Sequence, residues 1–316
     1  MTRILVVRLS ALGDVIHTIP AVVAMRDALG VDIEWAVERP YADLVEVVAG
    51  VRAVRASIRK WGHALFSSRN DIRIFVSRIR GSDVAVDFQG LIKSALVARF
   101  SGASERYGFD RDAIREKLAA SFINRHVPVD QSRHVVEWNM QLASAVARRE
   151  LVMPTVDFAK FATRRADVSS AHGDRADETS APLRGKIVVL PGAGKANKQW
   201  PPERFGEAIR RIGFPAMAVW GPNERELAER TGLELAPPTD LRQLAAVLRD
   251  AALVIGGDTG PLHLAAALGT RVVGLYGPTS VRRNGPFGQL ERCVSAASME
   301  AISVEAVAEK IKINLV

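Results

Sequence analysis

Short apolar runs alternate along this chain with longer segments in which apolar residues recur every three to four positions. Ile4-Leu5-Val6-Val7 is an unbroken apolar run within Arg3–Leu9 and predicts a first strand buried on both faces. Ala21–Leu29 predicts a helix entered through Thr18 and Pro20. Asp32–Val37 is the next strand and Tyr41–Val48 the next helix. Asp71–Ile79 is amphipathic. Val84–Phe88 reads as a buried strand ended by Gln89-Gly90, and Leu91–Phe100 and His134–Ala147 as helices. Strands and helices in alternation predict a parallel sheet with helices on both faces.

Residues 164–184 break this rhythm. They are polar, small and without period, which predicts a linker. Alternation then resumes. Lys186–Leu190, Ala216–Trp220, Leu253–Ile255 and Val272–Tyr276 read as strands. Pro202–Ile212, Glu224–Thr231, Leu241–Arg249, Leu262–Leu268 and Ser303–Ile311 read as helices. The expected organisation is a first domain over 1–163, the linker, a second domain over 185–300 and a closing helix within 301–316. Two doubly wound α/β domains place ligands beyond the carboxyl ends of their strands, in a cleft where the domains face each other.

Composition narrows the partners. Cys293 is the single cysteine, which excludes an intramolecular disulfide and fits a reducing compartment. No run of 18 apolar residues predicts a membrane span, and the short N-terminal run is broken by Arg8, unlike a signal peptide. The net charge is +8, and residues 51–150, with 18 basic and 10 acidic residues, hold the whole excess. That excess suits an anionic partner. With 6% aromatics and no zinc spacing, RNP-like run or helix-turn-helix signal, nucleic acid is disfavoured.

Chemistry concentrates where strands end. In Val254-Ile255-Gly256-Gly257-Asp258-Thr259-Gly260-Pro261-Leu262-His263, an apolar strand meets glycines, a polar turn, and a proline opening an alanine-rich helix. Proline suits a first helical turn, where its missing N–H costs no bond. The N–H groups of Thr259, Gly260 and Leu262 are then left at the positive helix end, an anion site of the kind phosphates occupy. Asp258 either holds a second group or caps the helix. His263 is either a site residue or a satisfied interior histidine. Leu190-Pro191-Gly192-Ala193-Gly194-Lys195-Ala196-Asn197-Lys198 is a second glycine-rich loop, without the Gly-Lys-Ser/Thr ending of a triphosphatase. Lys198 could neutralise a phosphate, with Lys195 as its competitor, or both are solvated loop lysines. Gly277-Pro278-Thr279 leaves another strand at the same edge. Glu224 either accepts hydrogen bonds from sugar hydroxyls or is a first-turn helix acid.

The loop after the first strand, Ser10-Ala11-Leu12-Gly13-Asp14-Val15-Ile16-His17-Thr18, lacks Gly-x-Gly-x-x-Gly, which disfavours an NAD-dependent oxidoreductase. Gly13 permits a tight turn that exposes Asp14. That carboxylate is either a general base or a turn and cap aspartate. The basic set Arg59, Lys60, Lys93, Arg106, Arg111, Arg115, Lys117 and Arg125 suits an acidic acceptor or forms a solvated face.

Five ordered motifs resemble glycosyltransferase family 9, the lipopolysaccharide heptosyltransferases, and within it the heptosyltransferase I type. They are Ser10-Ala-Leu-Gly-Asp14-Val-Ile-His17-Thr-Ile-Pro20, Asp87-Phe-Gln-Gly-Leu-Ile-Lys93-Ser94, Lys198-Gln-Trp200-Pro, Asp258-Thr-Gly-Pro-Leu-His263-Leu and Tyr276-Gly-Pro-Thr279. The resemblance implies a GT-B fold, with the acceptor in the first domain, ADP-heptose in the second, and a last helix that packs back on the first. It implies an inverting, metal-independent transfer of heptose to Kdo-lipid A by a monomer at the inner face of the cytoplasmic membrane. Carried over, Asp14 is the general base. Lys198, Glu224, Asp258, Thr259, Gly260, His263 and Thr279 serve the donor. Ser10, Gly13, Arg59, Lys60, Gln89, Lys93 and Arg115 serve the acceptor. Trp138 departs from the pattern, standing where relatives commonly have a basic residue. Rival readings are a same-fold transferase with another sugar or a protein acceptor, and a non-catalytic ADP-sugar or membrane-surface binding protein.

Overall fold

The computed structural model describes residues 2–63, 68–163 and 185–315, so the expected linker at 164–184 lies outside the described residues. The chain divides into two compact units, Met1–Val156 and Asp157–Val316.

The first unit runs β1 (Ile4–Val7), α1 (Leu12–Leu29), β2 (Ile33–Glu38), α2 (Ala42–Val45), β3 (Val51–Ala56), α3 (Ile58–His63), α4 (Arg69–Ile79), β4 (Val84–Asp87), α5 (Ile92–Phe100), β5 (Glu105–Phe109), β6 (Arg125–Val127) and α6 (Val135–Ala147). A 3-10 helix at Lys117–Phe122 joins β5 to β6. The six strands are parallel in the order β3-β2-β1-β4-β5-β6. Every residue of β1 is buried, as its unbroken apolar run requires of a strand covered on both faces. The chain winds away from β1 in one direction through β2 and from β4 in the other through β5. Right-handed crossovers then put α1 and α5 on opposite faces of the sheet. α6 packs on α1, while α4 and the 3-10 helix pack on α5. The two strand ends at this reversal, after Val7 and after Asp87, are where a doubly wound sheet opens a crevice.

α1 begins at Leu12, well before the expected entry at Thr18, and carries Pro20 inside it. Leu12, Val15, Ile16 and Ile19 form a buried helical stripe that outweighs the bond Pro20 cannot donate. Thr18 donates its hydroxyl to the Asp14 carbonyl at 2.8 Å, and Asn139 of α6 donates to the His17 carbonyl at 2.9 Å. Gly13 is therefore a buried helical residue and not a tight turn.

The second unit runs α7 (Ala159–Thr163), β7 (Ile187–Leu190), α8 (Pro202–Ile212), β8 (Ala216–Ala218), α9 (Arg225–Glu229), β9 (Glu234–Leu235), α10 (Leu241–Asp250), β10 (Leu253–Gly257), α11 (Gly260–Ala267), β11 (Val272–Tyr276), α12 (Val281–Asn284), β12 (Val294–Ser295) and α13 (Val304–Leu315). Its parallel sheet has the order β12-β11-β10-β7-β8-β9, with the reversal between β7 and β10. One boundary differs from expectation: α7, expected in the first domain, packs on α10 and falls in the second unit. In α13 the apolar side chains Val304, Val307, Ala308 and Ile311 are buried in the second unit's core with Ile187, Trp200, Phe205 and Leu253.

Candidate active site

In the first unit the site grows from the reversal point. Arg8 follows β1 directly and is 2% exposed. A buried guanidinium must be hydrogen-bonded and paired. Nη1 of Arg8 donates to the Phe88 carbonyl beyond β4, and Nη2 lies 2.6 Å from Oδ1 of Asp14. Asp14 sits in the first turn of α1, where helix N–H groups and the macrodipole favour negative charge. Nη2 of Arg115 approaches the same carboxylate at 3.4 Å. Burial alone would push the Asp14 carboxyl up. The charges of Arg8 and Arg115 and a backbone hydrogen bond with Ala11 overcome this and hold it below the usual aspartate value. Asp14 is thus an ionised carboxylate across the neutral range, partly open to solvent.

A second layer fixes this geometry. Asp87, fully buried, accepts hydrogen bonds from the backbone N–H groups of Gln89 and Gly90 and from the Ser94 hydroxyl. Burial is the stronger influence on it and lifts its carboxyl to about 6. Gln89 in turn accepts from the Leu9 N–H at 2.8 Å. Gln89 was expected among the acceptor ligands; it is 3% exposed and ties the β1 loop to the β4 loop. Gly90 has φ +68°, and a Cβ there would meet Cγ1 of Ile114 at 3.0 Å. The segment carrying Arg115 can therefore lie directly on the β4 loop, where the Gly90 carbonyl accepts from the Glu116 N–H. That close approach brings Arg115 to Asp14 across 101 positions of sequence.

The other candidates of the first unit divide. Lys93 lies half-buried in the first turn of α5, Ser10 half-buried in the β1 loop, and Lys60 is exposed on α3, the helix that also carries Arg59. Arg106 donates to the Phe122 and Ala103 carbonyls, and Arg125 pairs with Glu105. Both hold the β5–β6 edge together. Trp138 is buried and meets Phe109 edge-on, a core contact. Arg8 is the site residue that the sequence reading passed over. Its signal was a charged residue at the end of a wholly buried strand.

In the second unit, β10 delivers Asp258 to the start of α11. Nζ of Lys198 lies 2.7 Å from Oδ2 of Asp258, and Nε2 of His263 lies 3.1 Å from Oδ1. Burial would raise the Asp258 carboxyl, but the hydrogen bonds and charges of His263 and Lys198 pull it down to about 2. Gly257 makes the meeting possible, since a Cβ there would lie 2.5 Å from the Lys198 carbonyl. Thr259 and Thr279 each hold a buried hydroxyl with no hydrogen-bond partner among the described residues. Thr259 is the N-cap of α11 and makes no side-chain cap bond. Gly260 and Leu262 occupy the first turn, whose N–H groups have no acceptor within the helix. Lys195, the competitor of Lys198, is exposed. Lys198 thus stands with a helix N-terminus and an unsatisfied hydroxyl, an arrangement suited to an anion that carries hydrogen-bond acceptors.

Glu224 stands at the N-cap position of the short α9 but makes no side-chain cap bond, and its carboxylate accepts from the Gly221 N–H at 2.9 Å. Its carboxylate occupies the space over Gly192, where a Cβ would lie 2.3 Å from Oε1. Gly192→Ala is therefore expected to displace Glu224 while leaving thermal stability nearly unchanged, because a side-chain end moves more cheaply than backbone. Thermal melting and a structure of the variant check this, with the Glu224 carboxylate moved off the Gly221 N–H at a nearly unchanged melting temperature; a carboxylate left in place, or a large drop in melting temperature, would contradict it.

Asp258 also links stability to pH. Its folded-state value of about 2 lies below the ordinary 3.8, so the stabilisation is complete above that ordinary value and is lost as pH falls toward 2. The size is about 2 kcal/mol at neutral pH. Asp258→Asn is expected to lower unfolding stability at pH 7 and to narrow the gap to wild type near pH 2.5. A gap independent of pH would show that the carboxylate charge contributes nothing.

Among the described residues no three His, Cys, Asp or Glu side chains are grouped so as to hold a metal ion. In Asp110-Arg111-Asp112, Asp110 accepts from the Asp112 and Ala113 N–H groups and so closes a turn.

The model of glycosyltransferase family 9 (heptosyltransferase) matches residues 72–312. Lipopolysaccharide heptosyltransferase 1 of Pseudomonas aeruginosa is 35% identical over 302 residues, 91% of this chain and 82% of that protein. The solved structure of Escherichia coli heptosyltransferase WaaC with ADP superimposes with TM-score 0.82 at 28% identity, covering 99% of this chain and 100% of that one. The same enzyme with ADP-2-deoxy-2-fluoro heptose gives TM-score 0.77 at 27% identity, with the same coverage. Two parallel six-stranded sheets matched along their whole length establish the GT-B fold, and the chain belongs to glycosyltransferase family 9, the heptosyltransferases.

Proposed function

We propose that this protein transfers L-glycero-D-manno-heptose from ADP-heptose to Kdo of the lipopolysaccharide inner core, as an inverting heptosyltransferase I. The observation that carries this reading is the near full-length likeness to lipopolysaccharide heptosyltransferase 1. Structures of a relative with ADP and with a fluorinated ADP-heptose support an ADP-sugar donor. The acceptor is Kdo-lipid A at the inner face of the cytoplasmic membrane. No described helix is long and apolar enough to cross a membrane, and a peripheral enzyme is consistent with that.

The mechanism is a single displacement. Asp14 takes the proton of an acceptor hydroxyl, and that oxygen attacks the anomeric carbon on the face opposite ADP. The low proton affinity of Asp14 makes it a base chiefly late in the step, once the attacking oxygen has become acidic by bonding to carbon. Charge collects on the departing diphosphate. Lys198, the Thr259 and Thr279 hydroxyls and the N-terminus of α11 stabilise it there, and because they are held in place they need little reorganisation. Lys198→Ala is expected to weaken ADP binding about tenfold or more, as loss of a charge-assisted hydrogen bond does. Unaltered affinity by calorimetry would move this role to Lys195.

Donor identity is tested by offering ADP-heptose, ADP-glucose and UDP- and GDP-sugars with Kdo-lipid A and following glycosylated product by mass spectrometry. Product from ADP-heptose alone supports the reading. Preferential use of another sugar, or binding without turnover, overturns it.

A further inference from the structure

The two faces of the first sheet differ sharply in charge. On one face, α1 and α6 together carry one basic and three acidic side chains. On the other, α4, α5 and the 3-10 helix Lys117–Phe122 carry six basic side chains and one acidic one, Asp71. The basic face also holds large apolar side chains that its own packing leaves in solvent. Ile74 of α4 is 52% exposed, Phe100 of α5 54% and Leu118 of the 3-10 helix 70%. Exposed cations stand beside each: Arg73 and Arg78 flank Ile74 on α4, Arg99 precedes Phe100, and Lys117 precedes Leu118. α4 and the 3-10 helix both pack on α5, so these groups share one continuous layer.

We propose that this α4–α5 layer is a docking surface for an anionic lipid bilayer, with Ile74, Phe100 and Leu118 entering the headgroup–acyl boundary between the basic side chains. Charge complementarity selects the occupant. Arginine and lysine concentrate near an anionic membrane surface, and apolar side chains interleaved with them add a buried anchor. An acidic protein partner would satisfy the cations without requiring three apolar side chains spread over two helices and a 3-10 turn. Lys117 and Leu118 lie at the carboxyl edge of the sheet, two and three residues from Arg115, whereas α5 runs down from that edge and ends with Arg99 and Phe100 at the amino edge, beside the Gly81 N–H that donates to the Ser101 carbonyl, so docking would lay the whole face along the bilayer. The inference rests on the lipid-acceptor reading above for its purpose, and on the surface alone for its chemistry.

Flotation of the full chain with vesicles tests it. Wild type is expected to bind phosphatidylglycerol-containing vesicles at low salt, to ignore pure phosphatidylcholine, and to release at high salt as screening shortens. The triple variant Ile74→Ser, Phe100→Ser, Leu118→Ser and the separate variant Arg73→Gln, Arg78→Gln, Arg99→Gln are each expected to bind at least tenfold less. Both should keep wild-type melting, ADP affinity and transfer to a deacylated, water-soluble Kdo acceptor, because none of these residues belongs to the site. Transfer to acceptor embedded in vesicles should fall with binding. Vesicle binding unchanged in both variants, or absent in wild type, overturns the proposal, as does salt-insensitive capture of an acidic protein in place of lipid. Failure of the soluble-acceptor reaction in wild type would instead count against the heptosyl-transfer reading, so the two failures are distinguishable.

Discussion

Asp14→Asn is expected to lower turnover by roughly 10²–10⁴-fold, the usual contribution of a positioned base, while ADP binding is unchanged. The asparagine keeps the size and the acceptor oxygen but cannot take a proton. It also leaves Arg8, buried and cationic, facing a neutral amide in place of its 2.6 Å carboxylate partner. Some loss of stability should therefore accompany the loss of rate. Calorimetric ADP titration separates the two, because the residues proposed to hold the donor, Lys198, Asp258, Thr259 and Thr279, all belong to the second unit. Wild-type turnover in a folded, ADP-binding Asp14→Asn protein would remove this carboxylate from the mechanism.

Arg8→Met is expected to have the next largest effect, and its signature is a pH profile. Arg8 is the strongest influence holding the Asp14 carboxyl down against burial. Removing it raises the proton affinity of Asp14, so the acid limb of kcat/KM moves to higher pH and activity at mildly acid pH drops most. Arg8→Lys keeps the charge but cannot reach both the Phe88 carbonyl and Asp14 with a planar fork, so it should restore the limb only in part. Because Met removes the fully buried cation itself, and the partly exposed Asp14 retains Arg115, the folded state should lose only about 1–3 kcal/mol. Thermal melting checks that cost. An acid limb that stays in place in both variants would show that Arg8 is a structural cation with no hold on the base.

How much of this was legible beforehand depends on the element. The central strands β1, β4, β7, β10 and β11 are apolar but for Asp87 at the end of β4 and are buried almost throughout, and burial of that kind writes itself into the sequence. The outer strands β5, β6, β9 and β12 are short or carry charged residues such as Arg106 and Arg125. Pairing, not pattern, makes them strands. The first half of α1 was hidden by Pro20, which reads as a helix start. The buried stripe of Leu12, Val15, Ile16 and Ile19 overrides that signal.

The donor-side residues were readable because Asp258, Thr259, Gly260 and His263 are neighbours in sequence, and strand-to-helix loops with glycines have few purposes. Their link to Lys198, 60 positions away, required the fold. The Asp14 site was less readable. Its partner Arg115 is 101 positions distant, and the approach depends on a positive φ at Gly90 that no local pattern announces. Gln89, carried over with its motif as an acceptor residue, also has a structural part that no local pattern announces: its amide oxygen accepts from the Leu9 N–H, 80 positions away.

The most direct measurement is mass analysis of Kdo-lipid A after incubation with ADP-heptose and either wild-type protein or Asp14→Asn at equal ADP occupancy. The expected result is one heptose added to the acceptor by wild type, with stoichiometric ADP release, and a residual trace with the variant. No heptose added by wild type, or equal addition by both proteins, would contradict the account.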